Sequence, residues 1–234
     1  GLEPLTIEDC LEMIAGMRAD YDFKLDKTDG SITLSIAKQV FRGIALSDKQ
    51  YNKVVYFDDF TTQTEINGCP VLGKTSEIVR AFENKQFDEL LIGIGYKHLQ
   101  VRKTLFETFS TLITFGKLIH SSSWVDATAV VEKGCVIYPG CIIDAKAVIK
   151  ANTILNIGCS ISHDTTINSH CFLSPRVAIA GFVCIEECCI LGINSTIIDN
   201  LNIVAKTQLG GATVVINSIE KSGLYVGNPA KFVR

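Results

Sequence analysis

The run Ile137-Tyr138-Pro139-Gly140-Cys141-Ile142-Ile143-Asp144-Ala145-Lys146-Ala147-Val148-Ile149 repeats a pattern every six residues. An aliphatic side chain stands at 137, 143 and 149, and a small one stands two places before each (Cys135, Cys141, Ala147). Followed outward, the register holds from Val125 to Val215: sixteen consecutive positions are Ile, Leu or Val. Aliphatics of this kind are about a quarter to a third of an ordinary chain, so chance does not give a run of this length. From Ala129 onward the second track is Ala, Cys, Thr or Ser in twelve of fifteen cases, with Val177, Val183 and Leu201 departing. A period of six belongs neither to an α-helix nor to a free strand. It is the signature of a parallel β-helix, in which each hexapeptide makes one short strand and one corner. The aliphatic points into the prism and the small residue fits where the backbone turns. Three hexapeptides make one coil, so residues eighteen apart stack at ~4.8 Å.

The 234 residues allow one large or two modest domains, and 47% hydrophobic with 20% charged residues is an ordinary globular balance. Net charge is −3 with no basic run, which argues against nucleic acid as a partner. No apolar stretch approaches the length of a membrane span, and Glu3, Glu8 and Asp9 interrupt any signal-peptide pattern, so the expected location is the cytoplasm. Of nine cysteines, Cys135, Cys141, Cys159, Cys171 and Cys189 fall on the small-residue track and read as reduced core filler. Cys184, Cys188 and Cys189 cluster without a histidine nearby in sequence, so no metal site is expected.

Ahead of the repeat the grammar differs. Residues 1–52 read as a small helical unit: a capped helix from Thr6, a break at Asp29-Gly30, an amphipathic piece from Ser35 to Phe41, and a third helix capped at Ser47-Asp48. Residues 53–117 read as a small α/β domain with a parallel sheet. Its strands are expected at 53–57, 90–95 and 112–115, with a short extended piece at 70–73 and helices at 75–82 and 99–109. Ligands of such sheets bind beyond the strand carboxyl ends, here Asp58, Asp59 and Gly95. Residues 118–234 are the β-helix, joined without a Pro/Gly/Ser linker, so the two parts are expected to pack closely.

Six segments, in order, carry a resemblance: Phe57-Asp58-Asp59, Ile92-Gly93-Ile94-Gly95, Ile161-Ser162-His163-Asp164, Leu191-Gly192-Ile193-Asn194-Ser195, Leu209-Gly210-Gly211-Ala212-Thr213 and Val226-Gly227-Asn228-Pro229-Ala230-Lys231. Together they resemble the hexapeptide-repeat amino-sugar N-acetyltransferases and sialic acid O-acetyltransferases. That resemblance implies a left-handed β-helix, acetyl-CoA as co-substrate, a nucleotide-linked amino sugar as acceptor, a role in glycan biosynthesis, and a homotrimer with interfacial sites. It also implies that His163 is the catalytic base, that Asp164 orients it where relatives have Glu, and that the Gly181 N–H binds the oxyanion. His163 and Gly181 are eighteen apart and so share a corner on successive coils. By the same resemblance Phe172, Ile193, Gly211 and Lys231 meet the coenzyme, and Asp58, Asp59 and Gly95 meet the nucleotide sugar. His98, His120 and His170 read as surface residues.

Two features depart from the pattern. Relatives begin with a glycine-rich phosphate-binding turn, whereas the glycines of residues 1–52 are isolated at 1, 16, 30 and 43. Phe172 stands where many relatives carry a coenzyme-contacting histidine, and Arg176 replaces the Gly of a Ser-Pro-Gly corner. Three functions stay open at this point: an N-acetyltransferase, an O-acetyltransferase acting on a sialic-acid-type sugar, and an inactive trimeric scaffold or binding module.

Overall fold

The structure, a computed structural model, describes residues 42–46 and 48–234. The helices expected within residues 1–41 and the cap at Ser47 lie outside them. Residues 42–46 are helical. The third helix does not form at Asp48, because residues 48–50 make a turn with Lys49 at φ +54°. Asp48 is used elsewhere: its carboxylate accepts the Ser121 N–H (2.6 Å) and hydroxyl (2.8 Å), tying this turn to the start of the β-helix.

The α/β part is smaller and more mixed than expected. Tyr56–Phe57 (β1) pairs in parallel with Cys69–Gly73 (β3), and Glu65–Ile66 (β2) pairs antiparallel with β3 across the Asn67-Gly68 turn. Both turn residues have positive φ (+52° and +75°), as a tight hairpin of this hand requires. Helices follow at Ile78–Glu83 (α1) and Leu99–Phe109 (α2), the latter with the bounds its sequence predicts. The strand expected at 90–95 reduces to one parallel bridge between Leu90 and Phe115. The reason is chemical. The carbonyls of Ile92 and Ile94 accept hydrogen bonds from the fully buried Arg102 guanidinium, which also donates to Gly134 and Asn152 carbonyls of the β-helix. With no carboxylate partner among the described residues, this cation is solvated by four carbonyl dipoles. Burial pushes its pKa down to about 10, which leaves it charged at neutral pH.

Seventeen two-residue strands follow, one per hexapeptide, from Leu118–Ile119 (β4) to Val214–Val215 (β20). They form the three faces of a left-handed parallel β-helix, with every third strand paired in register. Ile143, Ile161, Ile179, Ile197 and Val215 stack on one face, each at most 2% exposed. The end is closed by the antiparallel pair Leu224–Val226 (β21) and Lys231–Phe232 (β22). Among the described residues no helix is long and apolar enough to cross a membrane.

The three faces differ outside. On the first, the outward residues Leu118, Val136, Ile154 and Phe172 are buried beneath Ile44, Ala45 and the α/β part. On the second, outward Trp124 and Ile142 are about half exposed (53% and 49%). The two parts therefore do pack closely, and the first face is where they do so.

His170 is not a surface residue. It lies 6% exposed at this seam, its Nδ1 accepting from Asn152 Nδ2 (2.9 Å) and its ring edge-on to Phe106. Burial, with Lys103 nearby, pushes its pKa from 6.5 down to about 4. Below pH 6.5 the unfolded chain binds a proton that the native site refuses. Stability is therefore lost as pH falls from about 6.5 to about 4. Urea midpoints over that window should fall more steeply in the wild type than in His170→Gln, by about 1–3 kcal/mol of accumulated difference. Parallel pH profiles would contradict it.

Candidate active site

Every corner of the prism is built alike, and the site is one column of it. From Gly134 to Ala212 each sixth residue has positive φ, including Lys146, Asn152, Asp164, Arg176, Phe182, Asn194 and Asn200. From Asn152 onward the N–H of each such residue donates to a carbonyl nineteen positions earlier, as Asp164 does to Ala145 (3.0 Å) and Phe182 to His163 (3.2 Å), while Gly140 and Lys146 donate to the Ser122 and Thr128 hydroxyls. This strict repeat of left-handed corners is a signal the aliphatic register alone does not reveal.

His163 and Asp164 occupy the corner between the second and third faces, after Ser160–Ile161 (β11) and before Thr166–Ile167 (β12). Asp164 sits at φ +56°, a conformation Asp tolerates, and its Oδ2 lies 3.1 Å from His163 Nδ1. The shorter carboxylate therefore reaches the ring. That contact holds the imidazole through Nδ1, and Nε2 makes no hydrogen bond among the described residues. Lys146 Nζ lies 3.9 Å from the other Asp164 oxygen, on an exposed side chain, where such a pair contributes little.

Gly181 is stacked one coil beyond His163. A Cβ added there would come 2.7 Å from His163 Cε1 and 2.9 Å from Nε2, so only glycine lets the ring lie against this backbone. The Gly181 N–H makes no hydrogen bond among the described residues. Its turn is braced from below by Thr165, fully buried, whose hydroxyl donates to Ala180 O (2.8 Å) and accepts from Val183 N–H (3.2 Å). Thr165 brackets Gly181 on both sides, a role that reading it as small-track filler misses.

The other predicted residues are elsewhere. Ile193 and Gly211 stack on the corner between the first and second faces, with Ile193 half exposed. The Ile193 carbonyl is taken by the Ala212 N–H (2.7 Å), which leaves the Ile193 and Gly211 amides as the groups that corner can offer. Phe172 is a correction. It is 8% exposed and covered by the Tyr96 ring (centroids 5.3 Å), so it serves the seam between the two parts and presents almost no surface to a coenzyme. Lys231 is exposed on β22.

Asp58 and Asp59 hold their own loop. Asp58 Oδ1 accepts the Phe60 and Thr61 amides, and Asp59 binds the Thr75 N–H (3.1 Å) and hydroxyl (2.7 Å) at the head of the turn leading to α1. Gly95 heads the turn Tyr96–His98 that runs into α2, with no side chain capping it. A cavity of about 450 Å³ lies in the α/β part, lined by residues including Val54, Tyr56, Leu90 and Ile92 and by none of the corner at 163–182.

Replacing Thr165 by Val keeps the shape and removes both braces of the Gly181 turn. The expected outcome is a loss of about 1–2 kcal/mol in unfolding free energy. A denaturant melt indistinguishable from wild type would show that the hydroxyl is idle.

Residues 37–109 match the family profile of the PglD N-terminal domain. The whole architecture is similar to solved acetyltransferases. The acetyltransferase domain of PglB from Neisseria gonorrhoeae FA1090, in complex with acetyl coenzyme A, is 24% identical over 84% of this chain and 94% of that one, with a TM-score of 0.77. PerB from Caulobacter crescentus, in complex with CoA and GDP-perosamine, is 24% identical over 86% and 92%, with a TM-score of 0.74. WeeI from Acinetobacter baumannii AYE is 21% identical over 84% and 94%, with a TM-score of 0.68. The chain thus shares the fold of these acetyltransferases, a small α/β part with a PglD-type N-terminal segment set on one face of a left-handed β-helix.

Proposed function

We propose that the protein transfers an acetyl group from acetyl-CoA to the amine of a nucleotide-linked amino sugar, for glycan biosynthesis, in the cytoplasm. The observation that carries this reading is the His163–Asp164 pair (3.1 Å) with Gly181 packed against the imidazole. The acceptor amine attacks the thioester carbonyl while His163 Nε2 takes its proton. The Gly181 N–H faces the oxygen that becomes negative, in a turn braced in advance, so little reorganisation accompanies the reaction. Collapse breaks the C–S bond, and the proton passes from His163 to the departing sulfur. An inactive scaffold has no use for a base, an orienting carboxylate and an unbonded amide in one column. The Caulobacter relative was solved with GDP-perosamine, which favours a nucleotide-linked amino sugar over a sialic acid as acceptor.

Coenzyme contacts are assigned to the Ile193 and Gly211 amides and to Lys231. Asp58, Asp59 and Gly95 are assigned to the nucleotide, Gly95 because an uncapped helix head favours an anion. His163 and Ile193 stand on different corners, separated by the second face. A homotrimer brings unlike corners of neighbouring copies together, and the half-exposed Trp124 and Ile142 on the second face suit burial in it.

In acetyl-CoA turnover with a panel of nucleotide amino sugars, His163→Ala should lose ~10²-fold or more in kcat. Acetyl-CoA binding measured by calorimetry should persist in the variant. Undiminished turnover would remove His163 from the mechanism, and no saturable acetyl-CoA binding by the wild type would leave the scaffold reading standing.

A further inference from the structure

Phe182 is out of place by every local criterion. Its column of left-handed corners is otherwise filled by glycine, by polar or charged residues, or by the small Cys188 and Ala212. A bulky residue at positive φ is an outlier, and the conformation costs a non-glycine residue about 1–2 kcal/mol. Asn is the natural occupant, and this chain uses it at 152, 194 and 200 with φ of +56° to +60°. Nor does Phe182 recover the strain by burial, since it is 56% exposed. Among the described residues its one ring contact is edge-on to the His163 imidazole, with centroids 5.1 Å apart and planes at 83°. Its N–H donates to the His163 carbonyl, which sets its backbone one coil beyond the base.

We infer that Phe182 is an acceptor-recognition residue, its exposed ring forming the shelf on which the pyranose of the amino sugar is laid beside His163. The inference rests on the acetyltransferase reading above. A saturated sugar ring presents a face of C–H groups, and an aromatic ring is the surface that packs against such a face while leaving the hydroxyls and amine outward. The ring adjoins His163 and the Gly181 amide, where the amine must arrive. The groups assigned to the coenzyme lie on another corner of the same chain, and meet this one only from a neighbouring copy. A flat shelf next to the base fixes the height at which the nucleophile meets Nε2, which is a matter of acceptor binding and orientation.

The test is steady-state kinetics of wild type, Phe182→Asn and Phe182→Tyr with acceptor and acetyl-CoA varied in turn, together with thermal melting and sedimentation mass. Phe182→Asn should raise the acceptor KM about fivefold to tenfold and leave the acetyl-CoA KM within about twofold. Its melting temperature should be unchanged or higher by about 2–4 °C, because the corner is relaxed. Phe182→Tyr should restore the acceptor KM. A wild type that turns over while Phe182→Asn keeps its acceptor KM overturns this inference alone. A smaller assembly for Phe182→Asn also overturns it, since the ring then serves a second copy of the chain. A wild type that turns over no acceptor overturns the acetyltransferase reading and this inference together.

Discussion

Each coil donates its strand N–H groups to carbonyls seventeen residues on, and from Asn152 onward its left-handed corners donate back to carbonyls nineteen residues before. With both directions engaged at every level, the backbone has almost no freedom to choose a local shape. A slip of one residue would turn the stacked aliphatics of all three faces outward, so the register is strongly specified. The consequence for chemistry is that a corner is a fixed bracket. What varies from coil to coil is the side chain that the bracket holds, so a site is made by substitution within a column. Ala145, His163 and Gly181 occupy equivalent positions, and the base and its glycine neighbour arise without any special backbone.

The small-residue track contributes more than space. Cys135, Cys141, Cys159, Cys171 and Cys189 each direct a thiol at a corner carbonyl fifteen residues later, at 3.1–3.3 Å. Thr153 and Thr165 do the same with hydroxyls, and each also accepts an N–H from eighteen residues on. Buried corner carbonyls would otherwise lack partners at places where the ladder is interrupted. The thiols are therefore both apolar filler and weak donors. Burial raises the Cys135 pKa to about 12, which keeps that thiol protonated and able to donate.

How much of this could be read beforehand follows from how local each signal is. The β-helix was legible because its requirement repeats at one fixed spacing, and the His163–Gly181 stack follows from that spacing by arithmetic. The covered first face was written at a longer spacing, in Leu118, Val136, Ile154 and Phe172, which only an eighteen-residue reading of the outward positions isolates. Without that reading Phe172 looked like a coenzyme contact and His170 like a surface residue. The strand expected at 90–95 failed for a non-local reason: its carbonyls are claimed by Arg102, and no sequence window announces that a cation will be buried against carbonyls alone. Asp58 and Asp59 also hold their loop, through the Phe60 and Thr75 amides, a local duty that their place at a strand end does not announce.

The departure from the relatives at Asp164 and the oddity at Phe182 have the same origin. Both residues occupy the left-handed column, one coil apart, with φ of +56° and +58°. Positive φ swings a side chain back toward the residue before it, so each is aimed at its own predecessor or at the coil below. For Asp164 that predecessor is His163, and the geometry offsets the methylene lost relative to Glu, bringing Oδ2 to 3.1 Å of the ring nitrogen. For Phe182 the predecessor is Gly181, which has no side chain to block the way, so the ring meets the imidazole of the preceding coil. One backbone rule thus places the carboxylate on one nitrogen of the base and an aromatic edge beside the ring, while the second nitrogen makes no hydrogen bond among the described residues. The pairing is a property of the column, and it holds only while residue 181 is glycine, since a Cβ there would displace the imidazole from both contacts.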